Sequence, residues 1–84
     1  MNRYYFDFDN GLRFYRDPEG IKTDDIDEVR REAIAILPEM VKDVLPDCDH
    51  RVFKVQVRDH ADRIIFKATL TFNVERLNIA AFAH

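Results

Sequence analysis

Three patterns in the 84-residue sequence predict an α+β two-layer sandwich, β-β-α-β-β in chain order. Two pairs of segments alternate with period two, a long segment between them repeats with helical period, and each pair is joined by a short polar loop. One helix, kinked at Pro38, would pack on a four-stranded, mainly antiparallel sheet and leave the other sheet face open to solvent or a partner.

The first pair is "RYYFDF" and "LRFYRD", residues 3–8 and 12–17. Tyr4, Phe6 and Phe8 alternate with Arg3, Tyr5 and Asp7, as a half-buried strand requires. A two-residue turn at Asn10-Gly11 would put Phe14 on the face opposite Phe6. A three-residue loop, Asp9 to Gly11 with Gly11 left-handed, pairs Phe8 with Leu12, Phe6 with Phe14, Asp7 with Arg13 and Tyr5 with Tyr15, and is the expected register.

The next stretch, "DPEGIKTDDIDE" at 17–28, has the length of a calcium loop and six carboxylates. An EF-hand loop needs an oxygen ligand at its fifth position and glycine at its sixth, where this chain has Ile21 and Lys22. The residues instead suit a turn at Asp17 to Gly20 and a helix start, with Asp25 as N-cap and Glu28 completing a capping box. An Asp27–Arg31 pair would brace the first turn. Ile26, Val29, Ala33, Ile36, Leu37, Met40, Val41 and Val44 then form one apolar stripe, with Pro38 inside it.

The second pair, "RVFKVQVR" and "RIIFKATLTF" at 51–58 and 63–72, joins through a four-residue "DHAD" loop that would set Val57 opposite Ile64 and Val55 opposite Phe66. Whether the first strand borders the third, or the second the fourth, stays open at this level. The domain is expected at 1–76, with a C-terminal tail at 77–84 whose Leu77, Ile79 and Phe82 are available for packing.

Composition narrows the function classes. The chain is 46% hydrophobic and 35% charged with 2 Gly, the balance of a compact domain and not of a disordered one. One cysteine and no secretory leader pattern at the start predict a cytoplasmic protein, and no apolar run is long enough to span a bilayer. The sequence contains no serine and sets no base beside Cys48, so no enzyme activity is expected.

The motifs "RYYF" at 3–6, Gly11, "DPEG" at 17–20, Asp25, "EVRREA" at 28–33 and "VQVRD" at 55–59 occur in an order that resembles a small domain family of unknown function, common in rhizobia and related alphaproteobacteria. The likeness runs to about residue 75. It implies no assigned activity, cofactor or catalytic residue, so no functional site carries over.

Two candidate sites remain. Cys48, His50 and His60, with nearby carboxylates, are zinc-ligand types in two loops that would have to share one end of the sheet, but their spacing is not that of a structural zinc site. No metal or cofactor is expected. The open face is the stronger candidate. By alternation it carries Arg3, Arg13, Lys54, Arg58, Arg63 and Lys67 against Asp7 and Asp17, whereas 24–49 holds nine carboxylates against three cations. The domain is therefore charge-polarised although its net charge is −3. Tyr5, Arg13, Tyr15, Lys54, Arg58 and Lys67 form the expected interaction surface. The expected function is a non-catalytic binding module, self-associating or bound to another protein through this face and the apolar tail. The alternative is a nucleic-acid-binding regulator that stacks bases on the tyrosines.

Overall fold

The computed structural model describes residues 2–44 and 49–77. Its elements are β1 (Asn2–Asp9), β2 (Phe14–Tyr15), β3 (Ile21–Thr23), α1 (Ile26–Val44), β4 (His50–Arg58) and β5 (Ile64–Asn73). The α+β architecture is the expected one, with a fifth short strand where the sequence suggested only an approach to the helix. The sheet order is β2-β1-β4-β5, all neighbours antiparallel, and β3 pairs with Asn2 to Tyr4 at the start of β1. The first and third predicted strands, β1 and β4, are thus the central pair.

Helix α1 lies chiefly over β4 and touches β5 and β3. Val29, Ala33, Leu37 and Met40 from its stripe bury against Tyr4 and Phe6 of β1 and Phe53, Val55 and Val57 of β4. Removing such side chains from water is the main favourable contribution to a domain this small. The helix continues through Pro38, whose ring removes the donor that would serve the carbonyl of Ile34. Its start is capped as expected by Asp25, whose carboxylate accepts the N–H groups of Asp27 and Glu28 at 2.9 and 3.3 Å. The capping box is relayed through a neighbour. Thr23 accepts the Asp25 N–H (3.1 Å) and donates its hydroxyl to Glu28 (3.0 Å). Arg31 pairs with Asp25 at 3.7 Å, and not with Asp27 as expected.

Both hairpin registers differ from expectation. In the first, Phe8 faces Tyr15 and Asp9 faces Phe14, so the loop holds four residues, Asn10 to Arg13. The Asn10 side chain decides this: its carbonyl accepts the N–H groups of Leu12 and Arg13, both at 2.9 Å, and the Asn10 N–H donates to the Arg13 carbonyl at 3.2 Å. The chain re-enters the sheet later than a three-residue loop would allow. Gly11 does have positive φ, +92°, with the Arg51 side chain packed beneath it.

In the second hairpin Arg58 faces Ile64, so by the same count the loop holds five residues, Asp59 to Arg63. Asp59 N–H donates to Arg63 O (2.9 Å), Asp62 N–H to Asp59 O (3.0 Å), and Asp62 sits left-handed at φ +64°. Asp59 fixes the turn by accepting the N–H groups of Ala61 and Arg63 and the Arg63 guanidinium, all at 2.9 Å. Val57 therefore faces Phe66 and Val55 faces Ala68. Beyond a bulge, Arg58 faces Ile64, which leaves the core face.

Candidate interaction surface

Strand register assigns side chains to faces. Tyr5, Asp7 and Asp9 of β1 share the face away from the helix with Lys54, Gln56 and Arg58 of β4 and with Lys67, Thr69 and Thr71 of β5. Of the expected surface residues, Tyr5, Lys54, Arg58 and Lys67 are brought together there, and Arg13 stands exposed in the adjoining loop. Tyr15 is on the opposite face. The shifted hairpin register stacks it on Phe8, ring centroids 4.8 Å apart and planes 24° from parallel. Phe14 takes the place on the open face, 55% exposed and next to Asp9.

Arg58 is not a surface cation either, being 6% exposed at the centre of a polar cluster. Its Nε and Nη2 donate to the two oxygens of Asp7 at 2.6 and 3.1 Å, a bidentate pair. Its Nη1 reaches Asp62 at 2.6 Å and its Nη2 the Asp17 carbonyl at 3.2 Å. The guanidinium carbon lies 4.8 Å from the Tyr5 ring centroid, a cation–π contact. Asp7 is fully buried and also accepts the Gln56 amide (3.1 Å) and the Asp17 N–H (2.9 Å). Asp17 in turn accepts the N–H groups of Phe6 (3.0 Å), Glu19 and Gly20 (both 3.1 Å). The "DPEG" turn is thus closed by a side chain, and the acidic twelve-mer spends its first carboxylate on the protein's own backbone.

Burial alone would raise the Asp7 carboxyl. The Arg58 guanidinium, the Asp17 N–H and the Gln56 amide outweigh it and hold the group below the usual carboxylate range. Asp17 is likewise depressed: burial and the Asp7 charge oppose ionisation, and three backbone N–H donors prevail. The Asp7 pair drives Arg58 upward, so it stays charged throughout. Asp59 is lowered first by the Arg63 N–H and then by the Ala61 N–H and Arg63 side chain, against desolvation. Among the described residues no buried side-chain polar atom lacks a partner, so the cluster leaves no unsatisfied group for a ligand. It is a clamp that ties β1, β4, the β2–β3 loop and the β4–β5 turn together.

The clamp was not legible in the sequence, because Asp7 and Arg58 become neighbours only once β1 and β4 are known to pair. The zinc candidate separates for the same reason. His50 opens β4 and His60 follows its end, roughly 26 Å apart along an extended strand. Cys48 lies outside the described residues, and among those described no group of three His, Cys, Asp or Glu is placed to hold a metal ion. No helix among the described residues is long and apolar enough to cross a membrane.

What remains on the open face is a shallow depression of about 300 Å3 between Phe14, Asp9, Lys54, Gln56, Lys67 and Thr69. A family model of a domain of unknown function matches residues 3–71, from the first strand almost to the end of β5. The chain belongs to the DUF6894 family. No curated protein and no solved structure matches it. In this DUF6894 domain the matched span contains every member of the clamp, Asp7, Asp17, Gln56, Arg58 and Asp62, together with Phe14, Lys54 and Lys67.

Proposed function

We propose that this DUF6894 domain is a non-catalytic interaction module that self-associates along the outer edge of β5. The observation that carries the reading is the character of that edge. Strand β5 has ten residues, ends the sheet, and contains one charged side chain, Lys67, with neither proline nor glycine. Protected edges are usually short, charged or interrupted. Apolar side chains also stay open along it and just beyond it: Leu70 is 41% exposed, Val74 49% and Leu77 64%.

A two-fold pairing of β5 with β5 of a second copy, centred on Leu70, is chemically self-consistent. It sets Leu70 against Leu70, Ala68 against Phe72 and Phe66 against Val74 on the helix side. On the open side it sets Thr69 against Thr71 and Lys67 against Asn73. No like charges oppose one another. The tail beyond Leu77, expected to contribute to the contact, lies outside the described residues.

Light scattering across a concentration series tests the reading. The expected mass is twice the 10.0 kDa of the chain. Leu70→Lys, which sets two ammonium groups face to face across the axis, should return it to the monomer value with an unchanged circular dichroism spectrum. A protein that stays monomeric up to millimolar concentration sinks the proposal.

A further inference from the structure

We infer that the depression on the open sheet face is a binding site for single-stranded nucleic acid, in which a base stacks on Phe14 and the backbone phosphates run over Lys54 and Lys67. The inference is independent of self-association, which uses the edge of the sheet and not its face.

The charge distribution on this face carries it. Apart from the buried Arg58–Asp7 pair, the strand positions hold four cations, Arg3, Lys22, Lys54 and Lys67, against one carboxylate, Asp9. Both carboxylates are already engaged: Asp7 is buried under Arg58, and Asp9 accepts the Gly11 N–H at 2.8 Å. Lys54 and Lys67 make no ion pair among the described residues, although Asp9 faces Lys54 directly across the β1–β4 ladder. The surface therefore offers two cations, Lys54 and Lys67, with the Asp9 carboxylate lying in the same row as the local anion that a bound strand would have to pass. The acidic residues of α1 lie on the other layer, so the domain's own field orients a polyanion towards the sheet.

The geometry suits a strand rather than a lone phosphate. Phe14, Asp9, Lys54 and Thr69 lie in one row across β2, β1, β4 and β5, and Lys67 lies two residues along β5 from that row, on the same face. Three strand spacings place Phe14 roughly 14 Å from β5 before side-chain reach is counted. A single anion cannot use both ends, whereas a short oligonucleotide can. Aromatic stacking beside a cationic track is how proteins hold single strands without reading their sequence. Gln56 and Thr69 line the floor between them and supply further hydrogen-bonding groups.

Fluorescence anisotropy with a labelled twelve-nucleotide mixed-sequence single strand at low salt tests the site, with inorganic polyphosphate as competitor. The unaltered protein should bind. Phe14→Ala should weaken binding about 5- to 150-fold, the range of a lost base–aromatic stack, and Phe14→Trp should retain it. Lys54→Ala with Lys67→Ala should weaken binding and reduce the slope of log affinity against log salt by about 1.4, or about 0.7 for each phosphate no longer neutralised. Arg30→Ala, on the exposed side of α1, should change nothing. Absence of binding at low salt overturns the proposal. So does binding that survives Phe14→Ala while polyphosphate competes equally well, since that is a cation patch without a base site.

Discussion

One outer edge of the sheet is closed by the protein itself, and the other, β5, has no covering strand among the described residues. On β1, β3 covers Asn2 to Tyr4 and β2 covers Phe8 and Asp9. In the gap between them the Phe6 N–H is taken by the Asp17 carboxylate, which stands in for a missing strand residue. Arg3 and Gly20 seal the same region: the Arg3 guanidinium donates to the Glu19 carbonyl, and Gly20, at φ +68°, lets the loop approach the Tyr4 carbonyl so closely that a Cβ would lie 2.5 Å from it. On β5 none of these devices is present among the described residues. A fold that blocks one edge with two short strands, a side-chain plug and a buried ion pair has the means to block an edge. The β5 edge, which lacks these devices among the described residues, is where the proposed self-association rests.

The contrast is most sharply broken at Asp7. Asp7→Ala leaves Arg58 buried without its bidentate partner and should cost about 3–5 kcal/mol, enough to threaten a domain of this size. Urea unfolding measures it. Asp7→Leu combined with Arg58→Met should recover the part of the loss that comes from the uncompensated Arg58 charge, leaving the cost of the Asp17 N–H and Gln56 amide without their acceptor. Recovery would also show that the clamp closes the β1 edge without being required for the fold.

Asp17→Ala should be milder, about 1–3 kcal/mol, since it orphans the partly buried Phe6 N–H while Glu19 and Gly20 can turn to water. The same carboxylates set the acid limit. Asp7, Asp17 and Asp59 all have folded-state values below their unfolded ones, so their stabilisation is complete above the unfolded range near pH 4 and is lost as the pH falls through the folded values. Unfolding free energy should be flat from neutral pH to about 5 and then drop. Asp17→Ala should make that drop shallower. An equal acid slope in the variant would remove Asp17 from the account.

How much of this could be read from the sequence follows from the range of the interactions involved. The helix stripe, its Asp25 cap and the alternation of β1, β4 and β5 are local, and they are visible as periodicity and capping residues. Ile26 alone of the stripe stays largely exposed, at 45%, at the helix start, where it lines an open depression with Tyr4 and Phe66. The registers are not local in this sense. Asn10 and Asp59 each choose a loop length through side-chain bonds to backbone N–H groups, and pairing side chains by character alone favoured a three-residue loop in the first hairpin and a four-residue loop in the second, each one residue shorter than the loop that forms. The clamp lies further still from local pattern. Arg58 counts as a surface cation in any alternation scheme and becomes a buried one only through partners 51, 41 and 4 residues away.

The smallest expected effect tests the consequence of that register on the closed edge. With Phe8 facing Tyr15, the two rings form a partly exposed stack on the helix side of β1, near Pro18, Ile21 and Ile36. Tyr15→Ala should then cost about 0.5–1.5 kcal/mol beyond ordinary surface truncation, and a Phe8→Ala, Tyr15→Ala double-mutant cycle should show coupling of that size. Phe14→Ala, at a position on the open face with no aromatic partner among the described residues, should be close to neutral for stability and uncoupled from Phe8. If Phe14 instead couples to Phe6 and Tyr15 to Tyr5, the three-residue loop is the one in solution, Tyr15 returns to the basic face, and the base-stacking role passes from Phe14 to the tyrosine pair.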